Sequence, residues 1–341
     1  MGNEKQALVK KQVVFVKSDC SCPRALLFRQ DSPRIGCIRW ANRVYCNPIF
    51  ICGGRGAHVR FVSGRSLAGA ERRHGSGADG DIPGADRRLG RFCRQYAALG
   101  GQAALLAQLG ADPFGRKLAA RLARDGVDCS LLCFTDAFPT PVVFTGADTA
   151  LPYRAHTAGL ALGPEQLEAA PFRGASAFCF SSAGLVDSPL RLAHLEALAA
   201  ARDAGALCCY LLRLAQAAPY WPQREALRQT ALQFLDRADV LFLEESDLLL
   251  LFGSRELRTA LFALFTGHVQ LIFFYKKDRI LAFTRSVMAS AAKKDQSPAL
   301  VLYRMEKMGI HVIDLPRLKE HVLEQLLSND ANTTECQGLP Y

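Results

Sequence analysis

Side chains able to do chemistry are plentiful in this sequence, but few stand at spacings that combine them. The seven histidines (His58, His74, His156, His194, His268, His311 and His321) show no metal-ligand spacing and read as surface or polar-face residues. Cys20 and Cys22 could form a metal or redox pair, yet none of the twelve cysteines stands in a C-x-x-C pair. The adjacent Cys208 and Cys209 lie in an apolar run and should pack as small hydrophobes. Glu244, Glu245 and Asp247 put three acids within four residues inside VLFLEESDLLLLFG, the most apolar window, so that window cannot span a membrane.

Charge is unevenly placed. Residues 1–98 hold 18 of the 42 Lys and Arg but 7 of the 32 Asp and Glu, so the whole excess of +10 belongs to that segment. A nucleic-acid surface would interleave aromatics with its arginines, but the stretch from Arg55 to Arg94 contains only Phe61 and Phe92 before Tyr96 is reached. No nucleic-acid partner and no membrane are expected. The QVVFV run from Gln12 is too short for a secretory signal and is flanked by Lys, so reduced thiols and a cytoplasmic setting are expected.

From residue 100 onward, short apolar runs alternate with blocks of helical period, the pattern of strands buried on both faces and joined by crossover helices. AALLAQL from Ala103 reads as the first strand. Asp112 then caps a helix with Pro113 in its first turn, Leu118 and Leu122 on one face and Gly126 as its stop. ASAFCFSS, ALCCYLL, ADVLFL and VQLIFFY continue the strands, with helices from Ser188, from Pro222 and around Gly253 between them. TPVVFTGADTALPYRAHTAG from Thr140 has alternation and turn residues but no helical period, and reads as a hairpin. The fold class is α/β, a doubly wound and mostly parallel sheet with a small β lid. GRSLAGAERRHGSGADGDIPGADRRLGR, by contrast, cannot bury an amphipathic face and reads as loop or disorder. The chain thus divides into an irregular basic segment (1–98), a domain over 99–327 with its lid near 138–160, and a tail over 328–341.

With GGQAALLAQLGADPFGRKLAARLARDGVD, the TPVVF of Thr140–Phe144, PYRAHTAGLAL from Pro152 and ADVLFLEESDLLLLFG from Ala238, the chain resembles the PfkB (ribokinase-like) carbohydrate kinases, and among them the fructokinases. The resemblance implies ATP-dependent phosphorylation of a small sugar, with ATP and Mg²⁺ as cofactors and a possible homodimer through the β lid. Such a reaction needs a carboxylate to take the hydroxyl proton, a helix N-terminus with bare N–H groups for the phosphoryl, and a metal against the triphosphate charge.

The residues that the resemblance assigns are partial matches. The Gly-Gly-rich, Asn-containing sugar motif is replaced by GADRRLGRFCRQYAALGG, and the Asp-x-Asn-x-Arg segment by YLLRLAQAAPYW, with Tyr210, Arg213 and Trp221 as remnants. The Asn-x-x-Glu motif falls on Glu244 to Asp247, which makes Glu244 and Asp247 the indirect metal candidates. Tyr153 and Arg154 fall where relatives hold substrate, or they form a solvated strand; Gly159 stands where fructokinases carry an acid. Lys276 and Lys277 occupy a turn near the nucleotide. In HVIDLPRLKEHVLEQLL, Asp314 fits the leading Asp of the Gly-Ala-Gly-Asp motif, Arg317, Leu318 and Lys319 its small residues, and Glu320 its catalytic base. The same segment also reads as a helix capped by Asp314 with Leu323 and Leu327 buried. Three large residues in the anion hole, and only 21 residues after Glu320, imply an impaired kinase or an inactive pseudokinase serving as a binding module. The aperiodic start is also what an altered reading frame would produce, in which case the first strands and the sugar half-site are missing.

Overall fold

Strands β9, β10 and β11 (Leu207–Leu211, Val240–Glu244 and Leu271–Tyr275) bury every side chain but that of Glu244, which is half-buried. Alternation is absent because both faces are covered, so apolar residues suit every position. These strands lie in an eight-stranded sheet of the computed structural model, which describes residues 43–46, 58–59, 89–145, 150–167, 172–265, 267–293 and 296–328. The remaining members are β1 (Arg43–Cys46), β3 (Gln102–Leu105), β8 (Ala175–Ser181), β12 (Arg279–Phe283) and β13 (Met288–Ala292), in the order β13-β12-β11-β10-β9-β8-β1-β3. Pairing is parallel from β3 to β11, and β12 and β13 close that edge as an antiparallel meander. This is the doubly wound, mostly parallel sheet expected from the sequence.

Helices α1 (Leu89–Ala98), α9 (Pro298–Lys307) and α10 (Glu320–Leu327) pack on one another and on β3, β12 and β13. Elsewhere α4 (Pro189–Asp203) packs on β8 and β9, and α7 (Glu245–Phe252) packs on β10 with α5 (Leu214–Ala217), α6 (Arg224–Leu235) and α8 (Leu257–Leu264) beside it. The lid is a three-stranded sheet of β2 (His58–Val59), β6 (Val142–Thr145) and β7 (Ala150–Tyr153), and the expected hairpin is its antiparallel β6–β7 pair.

The segment from Gly110 to Gly126 shows how local chemistry builds this scaffold. Asp112 caps α2 (Pro113–Arg124): its Oδ1 accepts the Gly115 N–H at 2.8 Å, while Oδ2 accepts the Thr140 N–H at 2.6 Å and so ties the helix to the root of the lid. Thr140 Oγ1 in turn accepts the Gly110 N–H at 3.0 Å. A Cβ at Gly115 would overlap the Gly110 carbonyl, so only glycine fits this close approach. Burial alone would raise the Asp112 carboxyl, but the N–H donors of Thr140 and Gly115 outweigh it and hold the group below its usual range. Gly126 ends the unit at φ +82°, a left-handed turn in which a side chain is strained.

Three expectations change here. The apolar run from Ala103 is two strands, not one: Leu106 separates β3 from β4 (Ala107–Gly110), which pairs instead with β5 (Leu132–Thr135) in a separate two-stranded sheet. The boundary expected at residue 99 comes too late, because α1 places Phe92, Cys93 and Tyr96 in the core. The arginines at 91 and 94 mask that face, and ten residues are too few to display a helical period clearly. Asp314 is not the cap of α10: it sits in a 3₁₀ turn (Val312–Arg317), where it accepts the His311 N–H at 2.9 Å, although Leu323 and Leu327 are buried as expected. Apart from residues 43–46, 58–59 and 89–98, the irregular segment 1–98 lies outside the described residues, as do Cys20, Cys22 and, apart from Ser328, the tail.

Candidate active site at the carboxyl edge of the sheet

Neighbouring parallel strands end together, and their carboxyl ends are where an α/β sheet exposes functional side chains. Leu211, Glu244 and Tyr275 are the last residues of β9, β10 and β11, Glu244 pairing with Tyr275 and Leu211 with Phe242, and all three line one pocket of about 130 Å³. Arg213, in the turn from β9 into α5, is 3% exposed and pairs with Glu244, Nη1 to Oε1 at 3.4 Å. Its guanidinium carbon lies 6.0 Å from the centre of the Tyr275 ring, within cation–π range. Asp247, in the first turn of α7, is buried and joins two turns: Oδ2 accepts the Glu244 N–H and Oδ1 the Leu214 N–H, both at 2.8 Å. The sequence links these residues only through spacing; the parallel register of β9 and β10 brings Arg213 to Glu244.

The rest of the lining comes from α1 and the junction of β13 and α9. Phe92 and Gln95 of α1 line the pocket, together with Lys293, Gln296, Ser297 and Pro298 at the junction of β13 and α9. Gln296 is buried and held from behind: its Nε2 donates to the Leu327 carbonyl at 3.0 Å, and its Oε1 accepts from Arg304 at 2.8 Å. Arg304 also donates to the Leu326 carbonyl at 2.8 Å, so the carboxyl end of α10 braces the pocket rim. At the start of α9, Pro298 has no N–H, and Ser297 Oγ accepts the Leu300 N–H at 3.2 Å.

A strand followed by a helix N-terminus facing this pocket is therefore found at β13 and α9, not near Glu320. Glu320 is exposed at the first position of α10, no strand precedes it, and it does not line the pocket. Arg317, Leu318 and Lys319 likewise stand outside the pocket. The segment from Asp314 misleads because its order of residue types matches the motif while its backbone is a 3₁₀ turn. The sequence signal for α9 is the Ser-Pro pair at 297–298, an ordinary cap and first-turn signature.

The other expected residues are spread along the same edge. Tyr153, 54% exposed on β7, and Arg154 do not line the pocket, although Arg154 Nη2 reaches the Ala183 carbonyl at 3.4 Å just beyond β8. Lys276 and Lys277 are exposed in the β11–β12 turn, beside Tyr275 but outside the pocket. Cys208 and Cys209 are fully buried, and burial raises the Cys208 thiol to about 12, so they behave as hydrophobes. No group of three or more His, Cys, Asp or Glu suited to a metal occurs among the described residues.

A family model for pfkB carbohydrate kinases matches residues 93–276, more than half of the chain. The chain belongs to this family. Probable fructokinase-4 of Arabidopsis thaliana is 35% identical over 163 residues, which cover 46% of this chain and 49% of that protein. The chain thus spans about half the length of such curated relatives. Among solved structures, fructokinase from Xylella fastidiosa has a TM-score of 0.63 at 22% identity, covering 70% of this chain and 78% of that one. Aminoimidazole riboside kinase from Salmonella enterica also reaches 0.63, at 20% identity, covering 84% and 90%. At those identities the likeness establishes the PfkB fold and no more.

Mg²⁺ accompanies ATP in the expectation drawn from the family, and the residues in hand are poor donors for it. A site of this kind holds Mg²⁺ through one or two carboxylates and several waters in octahedral geometry. Here Asp247 is buried on backbone N–H groups, and Glu244, the one carboxylate lining the pocket among the described residues, faces a guanidinium. The arrangement does not fit a divalent ion.

Proposed function

We propose that this chain is a fructokinase-type PfkB protein that binds a small sugar and ATP along the carboxyl edge of its main sheet and transfers the γ-phosphate much more slowly than an ordinary sugar kinase. Family membership and the fructokinase names of its relatives support the substrate class. The slow transfer rests on the N-terminus of α9. Of the first three N–H positions there, Pro298 has none and Leu300 is used by Ser297, which leaves Ala299. An anion hole stabilises the transferring group only through donors aimed at it in advance, and each lost donor commonly costs about 10²- to 10³-fold in turnover.

The measurement is ATP-dependent phosphorylation of fructose by the purified chain, with ADP release followed by a coupled assay. Turnover at least about 10²-fold below the roughly 1–100 per second of ordinary kinases is expected. An ordinary rate overturns the impairment. Binding of fructose and ATP with no turnover at all moves the chain to the second reading, a pseudokinase acting as a binding module, which the Arg213–Glu244 pair in the carboxyl-edge pocket favours. A homodimer through the lid, checked by light scattering, and a cytoplasmic setting belong to the same reading. No helix among the described residues is long and apolar enough to cross a membrane.

A further inference from the structure

The charges that line the carboxyl-edge pocket are the reverse of those a metal–nucleotide site needs. Among the described residues, two cations, Arg213 and Lys293, stand there with one carboxylate, Glu244. Arg213 is almost wholly buried, where solvent screens its charge poorly. A dication placed beside Glu244 would meet this guanidinium at the same carboxylate, and the neighbouring Asp247 already has one oxygen on each of two backbone N–H groups. A phosphate-type oxyanion meets the opposite situation. It finds a guanidinium whose planar fork matches its oxygens, an ammonium in the same lining, and the N-terminal end of the ten-residue α9, whose dipole acts in the same sense. The pocket volume of about 130 Å³ is below the roughly 300–1,000 Å³ that encloses a drug-sized ligand, which suits one end of a ligand.

We propose that this pocket binds a phosphate-type oxyanion directly through Arg213 and Lys293, without a divalent cation, the two side chains supplying the positive charge that a metal would otherwise bring. The inference rests on the reading that the phosphate end of the ligand lies at this pocket. Glu244 then acts as a competitor: it holds Arg213 in place in the free protein and is displaced from it, at least in part, by the ligand. Removing its charge should strengthen anion binding. A metal-ligand role for Glu244 demands the opposite sign.

Isothermal titration calorimetry on the full chain tests this, with ADP and separately inorganic phosphate as probes, each in a Mg²⁺ buffer and in EDTA. ADP should bind with affinities within about threefold of each other in the two buffers, and Lys293→Gln should weaken binding about tenfold in both, the loss of one charge-assisted contact. Glu244→Gln should tighten binding in EDTA. A requirement for Mg²⁺, or weakening by Glu244→Gln confined to the Mg²⁺ buffer, overturns the metal-free inference and leaves the phosphate reading of the pocket standing. No binding of either probe in either buffer overturns both. Phosphate binding without ADP binding supports the inference with a free oxyanion as ligand, while ADP binding that phosphate displaces assigns the site to a nucleotide. Because loss of Arg213 could unfold the chain, Arg213→Lys, which keeps the charge but loses the fork, is paired with circular dichroism; a folded variant with undiminished affinity in EDTA removes the guanidinium from the proposal.

Discussion

The root of the lid and the carboxyl-edge pocket lie in the same domain and differ in what their polar groups do. At the lid root, Asp112 and Thr140 exchange hydrogen bonds with three backbone N–H groups, at Gly110, Gly115 and Thr140 itself, and the glycines admit no larger side chain. At the pocket, a buried guanidinium, a carboxylate and a lysine gather around open space. The first arrangement serves the fold, because each of its polar groups is engaged by a backbone N–H. The second is where the proposed chemistry belongs, and its charged side chains line a cavity. Local hydrogen bonding thus speaks of architecture, and the fold alone does not assign the chemistry of the pocket.

Substitutions can break that contrast, and the largest effect is expected at the lid root. Gly115→Val drives a branched side chain into the Gly110 carbonyl and should cost about 3 kcal/mol or more in urea unfolding, an overpacking penalty at the top of the usual range. If the cost is below about 1 kcal/mol, the lid root is not the rigid unit described.

Acid should act nearly as strongly on the scaffold through His194. Expected from the sequence at the surface or on a polar helix face, this side chain is instead fully buried on α4, where its Nδ1 lies 2.7 Å from the Leu190 carbonyl and burial lowers its pKa from 6.5 to about 4. A group whose folded pKa is depressed contributes stability in full above pH 6.5 and loses it as pH falls from 6.5 toward 4. A shift of this size amounts to about 3 kcal/mol as an upper figure. Denaturant midpoints taken from pH 7 to pH 4 should fall, and the decline should flatten in His194→Leu. An unchanged slope in that variant assigns the acid sensitivity to other groups.

Asp112→Ala removes the acceptor for two backbone N–H groups and should cost about 2 kcal/mol, more than a solvent-exposed helix cap. Because its folded pKa is depressed, the wild-type contribution is present above the ordinary carboxylate value near 3.8 and disappears only as pH falls below it through the folded pKa. The destabilisation by Asp112→Ala should therefore be constant between pH 5 and pH 7, by equilibrium unfolding. The smallest effect belongs to the pocket: Lys293→Ala should leave stability within about 0.5 kcal/mol, because a half-buried side chain at the rim carries little of the fold. A larger loss would make the two regions alike.

How far each region could be read beforehand follows from the range of the interactions that build it. The cap at Asp112, the stop at Gly126, the hairpin and the buried strands depend on residues within a few positions of one another, and each leaves a local signature of periodicity, capping or turn chemistry. The α1 helix leaves little sequence signal because its buried residues, Phe92, Cys93 and Tyr96, are interspersed with Arg91 and Arg94, which are half-buried, Arg94 in an ion pair with Asp125. Glu320 fits the motif by residue type and order, and residue order alone does not say whether a strand precedes it.

The amino-acid sequence by itself determined the alternation of strand and helix, the capped unit at the lid root and membership of the sugar-kinase fold, since these follow from apolar periodicity and short-range hydrogen bonding. Only the tertiary structure decided what faces the carboxyl edge. Arg213 meets Glu244 because β9 and β10 run parallel in one register, and Lys293 joins them because β11, β12 and β13 fold back to set α9 beside α1. Those contacts join segments tens of residues apart, and their charges acquire chemical meaning only when a shared, poorly solvated pocket makes each of them sense the others.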